Sequence, residues 1–478
     1  MANHKERVVE LFFIPSPLMG HVGQLVQLAN LMATRFHHLT INVLVMHLPN
    51  DPIGTNYTHS LIASSSEPDN DHNQIKFIQF PSMDLDSFPE YPNAGVLADA
   101  VIERHKPIVR ELIASCFSRS DRLSALVVDM FCTSMIDVGK EFGVPSYIFF
   151  PPSAAVLGIM FYFQTLEDEQ GQEISELANA ETPLIIPSYA KPVPPTVLPY
   201  VFLDKDSWSK RFGRYARKYR EAKGIIINTF LELEPHALHS YDDKTPPVYT
   251  VGPMLKPEKP IPNNELLQWL DGQPNSSVLL LCFGSRGWFE LQDQVKEIAT
   301  AIERSGYRFI WSLRRPPSEN QKGFPGEHTD YNEVLPDGFL DRTSGKGKVV
   351  GWLPQTAVLA HVAVGGFVSH CGWNSILESL WYGVPIATWP IYNEQSLNAH
   401  QLVKEVGLAV EISLDYNQFN KNQRLVSAEE IEKGIREVMD SRSEVRAKVA
   451  EMKTKSRMAV EEGGSSFASL RQLVDDFM

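Results

Sequence analysis

The sequence predicts an α/β protein made of two successive domains, each a parallel sheet with crossover helices. Three observations carry this. Apolar runs of strand length alternate with amphipathic stretches through the first half, the alternation resumes after a proline-rich stretch, and 478 residues exceed one ordinary core. A hydrophobic fraction of 43% fits a globular protein.

The first series runs VELFFIP, a helix from His21 to about Phe36, INVLVMHL, IKFIQF, a helix near Val96 to Cys116, ALVVDMF and SYIFF, and GIIINTF closes it. VYTVGPMLKPEKPIPNNE then reads as a connector, because proline opposes both helix and sheet. The expected boundaries are a first domain over 1–251, a linker over 252–262 and a second domain over 263–455. The second series is SVLLLCFG, a helix from about Leu291 to Ser305, RFIWSL, KVVGWL, a short helix, GGFVSH, a helix after Gly372, and PIATWP. Residues 314–334 and 414–425 read as long solvated loops, and Ala428 to Met478 is helical with few breakers before Gly463.

Composition narrows the partners. A formal net charge of −14 argues against a nucleic acid. The basic segment 205–224 carries Trp208, Phe212, Tyr215 and Tyr219 at helical spacing, and Asp204, Asp206 and Glu221 among its cations favour a solvated helix packed on the core over a membrane-touching one. Cys116, Cys132, Cys282 and Cys371 show no CxxC spacing, which fits a reducing cytosol. Lys5 and Arg7 precede the first apolar run, but Glu10 interrupts it and no cleavage site follows, so a buried strand is expected there. No run of about 18 apolar residues occurs, so no membrane anchor is expected. Nothing in the sequence reads as an oligomer interface, and a monomer is the default expectation.

The most informative stretch is WLPQTAVLAHVAVGGFVSHCGWNSILESLWYGVPIATWPIYNEQ, Trp352 to Gln395. Within it the chain passes from an apolar strand through Gly372 into an amphipathic helix, which aims free backbone N–H groups at an anion. His370, Asn374 and Glu378 recur every four residues and share a face wherever the chain is helical. A nucleotide on that face has its diphosphate at the helix start and its ribose beside a carboxylate. FGSRG, Phe283 to Gly287, is a second strand–glycine–helix turn of the same kind.

Two residues far upstream suit acid–base chemistry. His21 follows the first strand at the first turn of a helix, so it opens onto the crevice at the carboxyl edge of the sheet, where an imidazole can meet an acceptor hydroxyl as a general base. Asp129 ends ALVVD, where a carboxylate is costly to bury without a partner. On the far nitrogen of an imidazole it would orient the ring and stabilise the cation. Residue type alone leaves that partnership and a bystander role equally open. Asp84-Leu85-Asp86 and Asp204-Lys205-Asp206 offer Asp-x-Asp pairs for a divalent metal, but neither follows a buried strand, and both read as surface loops.

The Trp352 to Gln395 block resembles the signature box of the plant uridine-diphosphate-sugar glycosyltransferases in its length, its leading Trp-x-Pro-Gln, its central His-Cys-Gly-Trp-Asn-Ser and its closing Glu-Gln. FFIPSPLMGHVGQ, VVDMFC, GIIINTFLELEP and FGSRG stand in the expected order around it, so the resemblance covers nearly the whole chain. It implies the GT-B fold, two Rossmann-like domains facing across a cleft, with a C-terminal helix over 456–478 returning to the first domain. It implies His21 as base, paired with Asp129. It implies that Trp352 stacks on uracil, Gln355 contacts uridine, His370, Asn374, Ser375 and the helix start at Gly372 hold the diphosphate, Glu378 binds the ribose hydroxyls, and Ser285 adds a phosphate contact. Trp373, Glu394 and Gln395 map to positions around the sugar. A terminal glutamine goes with glucose in this family, and its amide can both donate and accept. Glu394 stands where many members have Asp, which leaves donor choice among hexoses open.

The resulting expectation is metal-independent, inverting transfer of glucose from UDP-glucose, a co-substrate, to a small lipophilic phenolic, flavonoid or terpenoid, with no other cofactor. FFPPSAAVLGIMFYF, 149–163, reads equally as acceptor pocket or plain core, and Phe131 is the one named acceptor contact besides His21. The alternatives are another hexose donor such as UDP-galactose, or a nucleotide-sugar binding protein without catalysis, which would not need His21 and Asp129. A nicotinamide oxidoreductase is disfavoured because no G-x-G-x-x-G follows an early strand.

Overall fold

Both sheets form where the apolar runs fall. A computed structural model describes residues 9–65, 74–88, 91, 93–118, 123–205, 208–255, 261, 264–317, 325–420 and 423–478. In the first half β1 (Val9–Ile14), β2 (Leu39–Val45), β3 (Ile75–Gln79), β4 (Leu123–Asp129), β5 (Ser146–Phe150), β6 (Gly224–Ile227) and β7 (Val248–Thr250) pair in the order β3-β2-β1-β4-β5-β6-β7. In the second, β8 (Val278–Cys282), β9 (Arg308–Ser312), β10 (Gly347–Val350), β11 (Val364–Ser369), β12 (Ile386–Thr388) and β13 (Ala409–Glu411) pair as β10-β9-β8-β11-β12-β13. Every pairing is parallel.

Alternate residues of one strand feed two cores, as a pleat requires. Leu11 and Phe13 of β1 join one cluster while Phe12 and Ile14 join another, and Leu280 and Leu281 of β8 divide in the same way. Helices cover both faces, so the strands are apolar throughout. Each fully buried Leu or Phe contributes about 1.5–3 kcal/mol.

Val248–Thr250, expected as connector, is instead an edge strand of the first sheet. Tyr249 is buried and its ring lies 6.2 Å from Tyr147, and this burial outweighs the breakers that follow. Strand β13 was also not anticipated, because three residues are too few to show a period. Of the linker, residues 256–260 and 262 lie outside the described residues, as do Lys5, Arg7, Asp206 and 318–324 of the first long loop. In the second long loop Tyr416 is buried in the core, so that segment is not merely solvated.

The basic segment forms the helix Trp208–Tyr219. Its cations meet the protein's own carboxylates: Arg211 and Arg214 bind Asp99, Arg217 binds Glu167 and Asp168, and Lys218 binds Asp137. Tyr215 and Tyr219 are buried. Among the described residues no helix is long and apolar enough to cross a membrane.

The helix Glu444–Val460 packs on the second lobe through Val449 and Met452. The chain then turns at Gly463, φ +86°, a left-handed conformation that suits glycine, and the helix Ser465–Asp475 lies on the first lobe. Leu470, Leu473, Val474 and Phe477 are buried there with β1 and β2, and Phe477 stands edge-on to Tyr147 at 4.9 Å.

Directed hydrogen bonds join the lobes. Ser396 donates to the Val197 carbonyl at 2.7 Å, and Gln401 donates to the buried Glu234 carboxylate at 3.2 Å. His400 is buried beside them, its ring 6.3 Å from Tyr189, and neither ring nitrogen has a hydrogen-bond partner among the described residues. Burial, then the nearby Lys404, push its pKa down to about 4, against an opposing pull from Glu411. Unfolded, this imidazole takes up its proton near pH 6.5. Stability is therefore full above that pH and declines as pH falls toward 4. Replacing His400 by Leu removes both the orphaned nitrogens and this loss. The thermal midpoint of His400→Leu should exceed that of wild type, with the gain about 2 °C larger at pH 5 than at pH 8 in scanning calorimetry. An equal gain at both pH values would detach the stability loss from His400.

Candidate active site

Strand order reverses between β1 and β4 in the first sheet and between β8 and β11 in the second. At such switch points the connections leave in opposite directions and open a crevice beyond the carboxyl ends of the strands. The candidate residues fall at these two places.

After β1 the chain enters the helix Met19–Arg35, with His21 in its first turn. Asp129 is the last residue of β4 and fully buried. His21 Nδ1 lies 2.8 Å from Asp129 Oδ2. The other carboxylate oxygen accepts from the Phe131 backbone N–H at 3.0 Å, so the carboxylate is fixed at both ends. That leaves Nε2 as the imidazole nitrogen turned away from Asp129. The Phe131 ring is 4.8 Å from the His21 ring and 6.3 Å from Trp208, continuing an aromatic wall away from the imidazole.

The segment 149–163 resolves as core. Phe149 and Phe150 are wholly buried in β5, and the helix Ala154–Gln170, capped by Ser153, buries most of its first ten residues. Helix packing on both faces of the first sheet takes up the apolar surface that the sequence left open to either role.

In the second lobe the helix Trp373–Tyr382 begins at Gly372, with no side chain capping its N-terminus. Asn374 and Glu378 lie on this helix, whereas His370 precedes it in the turn after β11, so the shared helical face holds only two of the three. Asn374 is exposed. Gln355 Nε2 donates to Ser375 Oγ at 2.9 Å and to Glu378 Oε2 at 2.8 Å, so one amide holds both side chains in place. Trp352 is 66% exposed, with the Arg314 guanidinium 5.7 Å from its ring centroid. So large an apolar surface left in solvent suits a stacking platform.

His370 is buried, with glycine backbone close on two sides. A Cβ at either Gly284 or Gly372 would lie 2.5 Å from its Nε2, and Gly284 has φ +79°. Burial pushes the His370 pKa down to about 4, only partly offset by the Cys282 carbonyl. The ring is therefore neutral at physiological pH in this state, so it can offer a hydrogen bond and no cationic charge. Ser285 is exposed in the turn after β8, next to Gly284.

Trp373 is buried, and its indole N–H donates to the Asn228 carbonyl of the first lobe at 2.7 Å. This bond fixes the indole across the lobes. Gln395 Oε1 accepts from the backbone N–H groups of Ile391 and Tyr392 at 2.9 and 3.0 Å. Both lone pairs are thus engaged, and the amide can offer a ligand only its NH2 group, not the donor and acceptor pair expected. Glu394 is partly buried. Burial raises its pKa while the His21 imidazole lowers it, so the acidic end of the second lobe lies within electrostatic reach of His21 in the first.

Asn228, Glu234 and Arg314 escape the sequence reading, which places Trp208 only in an aromatic stripe packed on the core. Asn228 follows GIII as Asp129 follows an apolar run, and that signal of a polar residue ending a buried strand was available.

The comparisons with known proteins agree with this geometry. A family model described as UDP-glucoronosyl and UDP-glucosyl transferase matches residues 211–447. UDP-glycosyltransferase 71A15 of Malus domestica is 48% identical, with 98% of this chain and 99% of the relative covered. A putative UDP-glucose flavonoid 3-O-glucosyltransferase 3 of Fragaria ananassa is 47% identical with the same coverage. The crystal structure of Medicago truncatula UGT71G1 complexed with UDP-glucose superposes with a TM-score of 0.84 at 39% identity, covering 100% of both chains. With its paired parallel sheets in the GT-B arrangement and nearly full-length identity to these relatives, the chain belongs to the plant UDP-glycosyltransferase family and is a UDP-glycosyltransferase.

Proposed function

We propose that this enzyme transfers glucose from UDP-glucose to a hydroxyl of a small lipophilic acceptor, with inversion to a β-glucoside and without a metal ion. The observation that carries the reading is the 2.8 Å His21–Asp129 pair at the first switch point, within electrostatic reach of Glu394 on the facing lobe. The names of the strawberry relative and of the UDP-glucose complex support glucose as the donor sugar and an aromatic alcohol as acceptor. The wall of Phe131 and Trp208 beside His21 suits such an acceptor.

On this reading His21 Nε2 takes the acceptor proton as its oxygen attacks the anomeric carbon. The bond from that carbon to the phosphate oxygen breaks on the opposite face, and UDP leaves with the electron pair. Asp129 holds the proton on Nδ1, keeps Nε2 available as the base and stabilises the imidazolium that forms. Trp352 stacks on uracil, Gln355 contacts the uridine, and Glu378, held by Gln355, binds the ribose hydroxyls. Charge gathering on UDP meets the uncapped N–H groups at the start of the helix Trp373–Tyr382, with Asn374, Ser375, His370 and Ser285 as further donors. The Gln395 NH2 and the Glu394 carboxylate face the sugar, donor beside acceptor. A cytosolic setting suits the four buried free thiols.

Asp129→Asn tests the base. Its oxygen retains the Phe131 N–H, so its NH2 meets His21 Nδ1 and forces the ring proton onto Nε2. The variant should fold as wild type by circular dichroism and lose at least about a hundredfold in kcat. Full activity would remove Asp129 from the reaction. The rate after EDTA treatment should equal the untreated rate, and a loss restored by Mn²⁺ would overturn metal independence.

A further inference from the structure

Asn228 lies just past β6, only 1% exposed, at the meeting of first lobe, linker and donor helix. The Met254 backbone N–H donates to Asn228 Oδ1 at 2.8 Å. A backbone N–H can only donate, so this bond determines which end of the Asn228 amide is oxygen. The other end, Nδ2, meets Asn374 Oδ1 at 3.4 Å. An amide nitrogen also can only donate, so Asn374 must present its oxygen to Asn228 and direct its own NH2 elsewhere. Asn374 is exposed in the first turn of the helix Trp373–Tyr382, among that helix's uncapped N–H groups. The Asn228 carbonyl meanwhile receives the Trp373 indole N–H, which holds the same turn against the first lobe.

We propose that Asn228 is a positioning residue for the donor. It orients the Asn374 amide so that the helix start offers a diphosphate hydrogen-bond donors only. An inverted Asn374 would place a partly negative oxygen against the anion. The orienting signal starts at a main-chain proton of Met254 and passes through two amides, so the linker side of the first lobe sets the polarity of a group on the second. This inference rests on the reading of Asn374 as a phosphate contact.

Calorimetric titration of the full chain with UDP and with uridine tests both points, because uridine keeps the base and ribose and lacks the phosphates. Asn374→Ala should weaken UDP and leave uridine unchanged; equal affinity for UDP in the variant and wild type would sink the reading of Asn374 itself. Asn228→Asp keeps an oxygen for Met254 and puts a carboxylate oxygen, with its charge, in place of the nitrogen facing Asn374. It should weaken UDP by about tenfold, the value of one charge-assisted hydrogen bond, with uridine held within about twofold. In an Asn374→Ala background the same substitution should lose most of its effect. Equal losses for UDP and uridine, or an undiminished loss in that background, would overturn the role of Asn228. Asn228→Leu, neutral and of similar shape, frees the Asn374 amide instead of inverting it. It should cost UDP about threefold relative to uridine, less than inversion does, because a freed amide still samples the donor orientation. An unchanged UDP to uridine ratio there would also overturn the proposal.

Discussion

The reversal of strand order in each sheet is the constraint on which the rest of this structure depends. Helices occupy both faces of both sheets, so the carboxyl ends of the strands are where polar side chains can meet a ligand without disturbing a core. At the first reversal, between β1 and β4, two residues 108 positions apart come within hydrogen-bond distance. At the second, between β8 and β11, the Gly284 turn and the His370–Gly372 turn become neighbours. The His21–Asp129 pair and the glycine turns around His370 are thus products of topology, placed on separate lobes.

The electrostatics of the second lobe follow from how tightly it is packed. A Cβ at Gly284 or Gly372 would lie 2.5 Å from His370 Nε2, so only glycine fits beside this imidazole, and its burial keeps it neutral. In a chain of net charge −14, the free N–H groups at the start of the helix Trp373–Tyr382 set oriented dipoles beside this neutral imidazole. Dipoles fixed in place cost little reorganisation when charge moves onto the leaving group. This also gives the amide orientations of Asn374 and Gln395 their weight, since a reversed dipole repels where the correct one attracts.

Long elements were legible in the sequence and short or shared ones were not. ALVVD and SVLLLC announce buried strands because parallel sheets need unbroken apolar runs, and Gly372 before an amphipathic helix announces an anion site. Val248–Thr250 and Ala409–Glu411 form strands only because neighbouring strands supply the pairing, and three residues carry no period of their own. The two readings of 149–163 could be separated only by knowing which helix covers Phe149. His21 and Asp129 were each readable at a strand end, whereas their contact depends on strand order. Gln395 shows the finest limit, since its residue type fixes what an amide can do and only the Ile391 and Tyr392 N–H groups decide which half remains.

The aromatic wall beside His21 is built on a different principle from the turns of the second lobe. Phe131 is held by its backbone N–H to Asp129, so the wall next to the base moves only with the base. Trp208, the next ring outward, belongs to another helix and is stacked under the Arg211 guanidinium at 4.3 Å. Arg211 is itself buried and bound to Asp99, which also receives the Tyr215 hydroxyl at 2.6 Å. Removing Asp99 would leave the buried Arg211 guanidinium without its carboxylate, so the helix is pinned from behind. On the proposed reading, changes at Trp208 therefore reshape the acceptor wall without shifting His21, whereas changes near Phe131 act on the His21–Asp129 pair as well.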